Sequence, residues 1–195
     1  MSGSEPPPRT GLVVPIEPYA VPVLVVDPDP AWPDLFEQDR AAITSALGAT
    51  ALAVEHVGST SVPGLPAKPV IDVLLLVPDS ADEPAYLPAL LAAGYHLRVR
   101  EPDWLEHRVV ARRVADADPH DVNVHVFSPG AADREVARMR MFRDWLRTHP
   151  EDRDRYAATK RQLASRPWRY VQDYADAKTE VVEAILALAG APSAP

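Results

Sequence analysis

The order of strand-like and helical segments predicts an α+β domain, with a mixed β-sheet flanked by helices and a helical C-terminal part. β-Branched runs and two helical segments alternate over residues 21–127. After Ser128-Pro129-Gly130, apolar residues recur only at helical spacing. The resulting order is β-α-β-β-α-β-β-β followed by three helices.

Strands in the first half of the domain are predicted where β-branched and other apolar residues run together. These runs are Val21–Val26, Ala51–Val57 and Val70–Val77. The last is long and apolar enough to lie inside the sheet, buried on both faces. Between the first two, helical spacing predicts a helix that starts after Asp29 and ends at Gly48.

The second half of the sheet is predicted to follow a short helix, Pro84–Ala93. Its strands are Tyr95–Arg100, Glu106–Val114 and His120–Phe127. In the last of these, Asp121, Asn123 and His125 alternate with valines. A period of two places the three polar side chains on one face of the sheet.

Apolar stripes predict the three C-terminal helices. One helix contains Val136, Met139, Phe142 and Leu146, the next spans Pro150–Ser165, and the last contains Tyr174, Val181, Ile185 and Leu188.

Composition predicts one soluble domain with two tails. Of the residues, 47% are hydrophobic and 25% charged, which is ordinary for a globular protein. Prolines predict a disordered tail over residues 1–19, a single domain over 20–189 and a flexible tail over 190–195. The absence of cysteine excludes disulfides, thiolate metal sites and thiol nucleophiles. Because neither a membrane-spanning run nor a signal-peptide pattern occurs, we expect a cytoplasmic protein without membrane contact.

Charge is distributed unevenly along the chain. The net charge is −8, but residues 1–130 hold 8 Lys/Arg against 18 Asp/Glu, while residues 131–195 hold 12 against 10. An acidic chain binds nucleic acid poorly without sequence specificity, because phosphate neutralisation supplies most of that affinity. The C-terminal third can still offer positive charge to a small phosphate-bearing ligand.

Two polar features of neighbouring strands predict a phosphate and metal site. Gly58, Ser59 and Thr60 form a turn whose backbone N–H groups and hydroxyls suit an anion, although such a turn also satisfies its own backbone. Asp72 lies alone in an apolar strand, where a carboxylate is costly without a partner. It is a candidate ligand for Mg²⁺, or alternatively half of a structural ion pair with Lys68 or an arginine.

Other polar residues complete this candidate site. His56 and His125 are possible metal ligands, phosphate donors or general bases. Of the two, His125 is placed with Asp72 as a candidate catalytic residue. Asp121 and Asn123 lie on the same predicted face of the sheet as His125. Asp121 is a candidate metal ligand, and Asn123 a candidate ligand-binding residue. If His56, Asp72 and His125 converge, a transition metal would suit them as well. Lys68 precedes the Asp72 strand and is placed to contact a phosphate.

Several segments together resemble the signature of the GrpB family. The first are His56–Leu65 and Lys68–Val73. The likeness continues through Asn123–Val126, Phe142–Arg147 with His149-Pro150, Tyr156 with Lys160, and Tyr174 with Lys178, and covers roughly residues 21–188.

The resemblance carries expectations from the nucleotidyltransferase superfamily, to which the family is similar. It implies a nucleotidyltransferase-like sheet, with Gly58 and Ser59 as the phosphate-binding turn and Asp72 as the first metal carboxylate. Leu74 stands where that superfamily has a second carboxylate, and the third is not securely aligned. Arg143 and Lys160 are further ligand-binding candidates at family-like positions.

Three functions remain open on this basis. The first is a metal-dependent nucleotidyltransferase that transfers a nucleotidyl group to an unknown acceptor. The second, favoured by Leu74, is a non-catalytic nucleotide- or phosphate-binding module with a degenerate metal site. The third is an assistance or interaction domain with a protein partner, since GrpB-like units also occur fused behind dephospho-CoA kinases.

Overall fold

The computed structural model describes residues 23–113 and 120–191, together with Gly11 and Val13. Five strands of this part form one sheet: β1 (Ala53–Val57), β2 (Val70–Leu76), β3 (His96–Glu101), β4 (His107–Arg112) and β5 (Asp121–Phe127). Their order is β1-β2-β5-β4-β3. Strands β2 and β5 are parallel and the other neighbours are antiparallel, so the predicted mixed sheet is confirmed.

Six α-helices accompany the sheet in the described residues. They are α1 (Trp32–Leu47), α2 (Leu87–Ala92), α3 (Asp133–Thr148), α4 (Pro150–Ala164), α5 (Val171–Asp176) and α6 (Thr179–Leu188). Gly48 ends α1 at a positive φ, as its position predicted. The last predicted helix is instead two short helices, α5 and α6, separated at Ala177 and Lys178. None of the described helices has the length and apolar character needed to cross a bilayer.

The strand predicted at Val21–Val26 is reduced to a single bridge, and its first two positions lie outside the described residues. Val26 exchanges two backbone hydrogen bonds with Ala67, at 2.9 and 3.0 Å. Pro66 and Pro69 flank that partner and have no N–H to donate, so the ladder cannot extend.

Most of the predicted tails also lie outside the described residues. Two positions of the first tail, Gly11 and Val13, make backbone hydrogen bonds to Arg100 and Arg98 of β3.

The two faces of the sheet have different coverings. On one face, α1 and α2 pack against Ile71, Val73 and the valines of β5 in the main core. On the other face, Leu74 packs with Val57 and Phe127 against α3. Asp72, Asn123 and His125 lie on this second face, as the alternation in β5 predicted for the last two. The C-terminal helices therefore face the polar side chains of β2 and β5.

Candidate functional site

A cleft of about 460 Å³ lies between the second face of the sheet and the C-terminal helices. Strand register brings its parts together, because Val57 is opposite Asp72 and Asp72 is beside Asn123. Its lining includes Gly58 and the polar residues Ser59, Lys68, Asp72, Asn123, His125, Lys160, Tyr174 and Lys178. The turn and the acid singled out in the sequence thus share one cleft.

Gly58 lets the turn after β1 approach the Asp72 carboxylate. Its φ is +67°, and a Cβ at this position would collide with Asp72 Oδ2 and lie 2.9 Å from Asp72 Cβ. No other residue combines that backbone conformation with so little volume. Ser61 then closes the turn, with its hydroxyl donating to Gly58 O at 2.6 Å.

Asp72 is an anion that lies beside an amide donor and positive charge. Burial raises its pKa, but the neighbouring His125, the hydrogen bond from Asn123 and the charge of Lys178 outweigh burial, so the pKa lies below its usual value. Asn123 Nδ2 donates to Asp72 Oδ1 at 3.0 Å, and His125 Nε2 lies 3.8 Å from the same oxygen. The side chain remains 29% exposed toward the cleft.

All three lysines of the chain line this cleft. Lysine is otherwise absent, since the remaining residues among the 20 Lys and Arg are arginines. Lys160 is 2% exposed and donates to Ser59 Oγ at 3.0 Å and to Pro66 O. Its ammonium lies 4.6 Å from the centre of the Tyr156 ring. Lys178 has the same relation to Tyr174, at 4.7 Å. Aromatic faces thus partly replace the water that these cations lose.

The lysines carry charge that burial disfavours. Burial, with the charges of Lys178 and Arg161, lowers the pKa of Lys160 to about 7. Burial also lowers the pKa of Lys178 and of Lys68, while the Asp72 carboxylate opposes these shifts. Ammonium groups in this state gain strongly from a further anion in the cleft, because it offsets their lost hydration.

A line of hydrogen bonds reaches His125 along the same face of the sheet, from the edge strand β3. Glu101 Oε2 accepts from His107 Nδ1 at 2.8 Å, and His107 Nε2 lies 3.2 Å from His125 Nδ1. Burial lowers the pKa of His107 to about 4, so this ring is neutral near pH 7. Since its proton points to Glu101, its Nε2 is an acceptor and His125 must donate from Nδ1. In neutral His125, the unprotonated Nε2 then faces Asp72.

His56 and Thr60 lie apart from the cleft lining. The register pairs His56 with Val73, which places it on the sheet face opposite Asp72. There His56 stacks on Phe36 and lies 3.0 Å from Thr60 Oγ1, while Thr60 donates to Val70 O. Burial lowers the pKa of His56 to about 4. The expected convergence of His56 with Asp72 and His125 therefore does not form.

Three other candidate residues interact with neighbouring side chains or backbone of the protein. Arg143 donates to Glu55 and to the backbone oxygen of His56, both at 3.2 Å, and does not line the cleft. Asp121 begins β5 on the cleft side and raises the pKa of Lys68, against the larger effects of burial and Arg113. Asn123 is part of the lining, but Arg113 donates to its Oδ1 at 2.6 Å.

These side chains are a poor fit for a resident metal. Among residues 23–113 and 120–191, no group of three His, Asp or Glu side chains is arranged to hold a metal ion. Leu74 is fully buried in the core, so β2 supplies one carboxylate only. Three lysines surround that carboxylate where a metal centre would gather more acids.

Five residues of this arrangement lie outside the candidate site predicted from the sequence. Tyr156, Tyr174 and Lys178 are family-like positions without a predicted role, and Glu101 and His107 belong to no predicted motif. The scarcity of lysine is the signal that could have found Lys178: three lysines occur among 20 basic residues.

The features above define an α+β protein with a lysine-lined cleft at one face of a mixed sheet. The chain belongs to the GrpB family, whose model, described as GrpB protein, matches residues 22–188. It is 52% identical to a UPF0157 protein of Halalkalibacterium halodurans over 176 residues, covering 90% of this chain and 87% of that protein.

Two further comparisons extend this relationship. A crystal structure of the conserved protein GrpB from Enterococcus faecalis has a TM-score of 0.66 and 28% identity, covering 83% of this chain and 98% of that one. A dephospho-CoA kinase of Mycobacterium tuberculosis is 34% identical over 163 residues, which cover 71% of this chain and 39% of the kinase. The similar region is thus a minor part of that enzyme.

Proposed function

We propose that this protein binds a phosphate-bearing small molecule, in particular a nucleotide, in the lysine-lined cleft without a resident metal. The observation that carries the proposal is the collection of Lys68, Lys160 and Lys178 around the Gly58-Ser59 turn. Lysine binds phosphate as a point charge, and a glycine-containing turn lets backbone N–H groups approach the anion.

The lysines supply the positive charge that a metal ion provides in other phosphate sites. Lys160 lies in α4 and Lys178 between α5 and α6, both distant in sequence from the turn, and burial lowers the pKa of each. A phosphate in the cleft would stabilise both ammonium groups. The cleft is therefore pre-organised for an anion, and burial of its charged lysines is unfavourable when no anion is bound.

Nucleotidyl transfer is the second candidate function. It is favoured by the position of His125 Nε2, which lies 3.8 Å from Asp72 Oδ1. An imidazole there can take the proton from the hydroxyl group of the molecule that receives the nucleotidyl group. In this case Mg²⁺ would arrive with the nucleoside triphosphate as part of the substrate, and Asp72 would be its protein ligand. The dephospho-CoA kinase relatives make dephospho-CoA a reasonable ligand to include in tests of either function.

Calorimetric titration separates the two candidates. The ligands are tripolyphosphate, ATP, CTP and dephospho-CoA, each measured in EDTA and in Mg²⁺. Metal-independent binding of tripolyphosphate and nucleotides is expected. Replacement of Lys178 by Met should weaken it at least about tenfold, because a charge-assisted contact is lost. The control is Arg40→Met, an exposed cation on α1 that pairs with Glu37.

Asp72→Asn has opposite consequences for the two functions. In a lysine-based site, removal of the negative charge leaves anion affinity unchanged or tighter. In a site that grips Mg²⁺ through Asp72, the same variant loses magnesium-dependent binding. Binding that requires Mg²⁺ and disappears in Asp72→Asn would favour the transferase, and an absence of binding to every ligand would overturn both proposals.

A further inference from the structure

A second cavity, of about 330 Å³, adjoins the lysine-lined cleft. The two share Ala175 and Lys178 in their linings, so Lys178 stands between them. The second cavity has a different character, because two carboxylates and an indole form much of its wall. Its volume lies at the lower end of the ~300–1,000 Å³ range of small-molecule pockets.

The carboxylates of the second cavity are held in place by one buried arginine. Arg138 is 5% exposed, with its Nε 3.3 Å from Glu135 Oε2 and its Nη2 bonded to Glu183 Oε1. Glu135 belongs to α3 and Glu183 to α6, so the arginine joins two helices. Each carboxylate keeps acceptor capacity for a ligand, since it has about four lone-pair sites. With Lys178, the two acids and two bases of this lining balance, whereas the lysine-lined cleft holds three lysines against one carboxylate and so attracts phosphate more strongly.

Trp104 forms the aromatic part of the wall. It is 37% exposed. Among the Trp, Phe and Tyr residues in the described part of the chain, it is the one whose side chain is exposed. Two consecutive residues with positive φ follow it, Leu105 at +57° and Glu106 at +51°. Non-glycine residues in this conformation are uncommon and persist where surrounding structure demands them, often at functional sites. The turn thus holds an exposed indole at the mouth of a cavity.

We propose that the second cavity binds the nucleobase of the ligand and prefers a base with an exocyclic amino group. This inference rests on the proposed function, since the phosphates would occupy the lysine-lined cleft. The indole of Trp104 offers a face for the planar base, and Glu135 and Glu183 accept from its amino group. The positive excess of the lysine-lined cleft, against the balanced lining of the second cavity, fixes the direction of the ligand, with Lys178 contacting it between base and phosphates.

Matched nucleotide pairs test the preference. ATP is compared with inosine triphosphate and CTP with UTP, because each second member lacks the amino group, and tripolyphosphate reports the phosphate chamber alone. The amino-bearing member is expected to bind at least about tenfold tighter, the effect of one charge-assisted hydrogen bond. Trp104→Leu should reduce nucleotide affinity and leave tripolyphosphate affinity unchanged.

A second variant keeps the inference testable if Trp104→Leu fails to fold. Glu183 is 44% exposed, so Glu183→Gln should fold normally and narrow the difference between ATP and inosine triphosphate. Equal affinity for ATP, inosine triphosphate and tripolyphosphate would overturn the inference while leaving the proposed function intact. Binding of a simple amine such as putrescine, with no discrimination between bases, would also overturn it and would indicate an amine acceptor site. Failure of tripolyphosphate and all nucleotides to bind would instead refute the proposed function.

Discussion

Lys160 Nζ lies 3.0 Å from Ser59 Oγ, although 101 residues separate the two in the chain. The contact joins helix α4 to the turn after β1, and the Ser59 hydroxyl also hydrogen-bonds Tyr156. A nearly inaccessible ammonium group is thus anchored to the turn proposed to bind phosphate. Its burial has a free-energy cost that stability measurements can detect.

The first prediction concerns the pH dependence of stability caused by Lys160. Below pH 7 this lysine is protonated in both folded and unfolded states; between pH 7 and 10.5 the unfolded state alone holds the proton. The free energy of unfolding should therefore rise with pH in that window, by up to about 1.4 kcal/mol per pH unit from this group. Urea unfolding from pH 7 to 9 should show a shallower slope for Lys160→Met than for the parent.

Lysine-selective NMR provides an independent check on the same point. With three lysines in the chain, three Nζ signals can be assigned by single substitutions. Titration of the Lys160 signal near pH 7 is expected, with a shift to higher pH when tripolyphosphate is added. Titration of that signal near pH 10.5 would contradict the assignment of a strongly buried ammonium group.

The second prediction concerns the space that Gly58 leaves for Asp72. Gly58→Ala should destabilise the protein and weaken phosphate binding, because its Cβ collides with the Asp72 carboxylate. Gly48→Ala is the matched control: φ is +53°, and a Cβ there has nothing within 4 Å. The control should lose about 1–3 kcal/mol from backbone conformation alone, because both glycines combine a positive φ with a negative ψ that other residues rarely adopt. Gly58→Ala should lose about 1–3 kcal/mol more from overpacking. Equal losses in urea melts would show that the carboxylate moves aside freely.

The third prediction is the tautomer of two histidines. Long-range ¹H–¹⁵N spectra at pH 8 should show both His107 and His125 protonated at Nδ1, because Glu101 accepts the His107 proton. Glu101→Leu removes this acceptor and should allow the other His107 tautomer, with a corresponding change at His125. A proton on Nε2 of His107 in the parent protein would show that the line of hydrogen bonds runs in the opposite direction.

The fourth prediction is a loss of stability on mild acidification. Burial lowers the pKa of His56 to about 4, so between pH 6.5 and 4 the unfolded state binds a proton that the folded state does not. Stability should fall with pH across this window, by up to about 1.4 kcal/mol per pH unit from this group. His56→Gln keeps a donor for Thr60 and should flatten the fall in urea melts. Replacement of the exposed His96 by Gln controls for the loss of an imidazole; an equal change in slope there would disprove the role of burial.

The sequence by itself determined the local elements and the faces of individual strands. Alternation in β5 predicts which of its side chains lie with His125, and the apolar run of β2 predicts a strand inside the sheet. The signature around Gly58 and Asp72 also indicated the family. These features are local, because a period of two or 3.6 residues fixes how one element presents its side chains.

Only the tertiary structure decided which of these faces meet. His56 is two residues from Gly58, yet strand register turns it away from Asp72 and into the opposite core. Lys68, Lys160 and Lys178 occupy three separate segments, and packing of the C-terminal helices onto the sheet brings them into one cleft. The physical reason is that local periodicity specifies the direction of a side chain relative to its own element, whereas a binding site depends on the docking of elements distant in sequence.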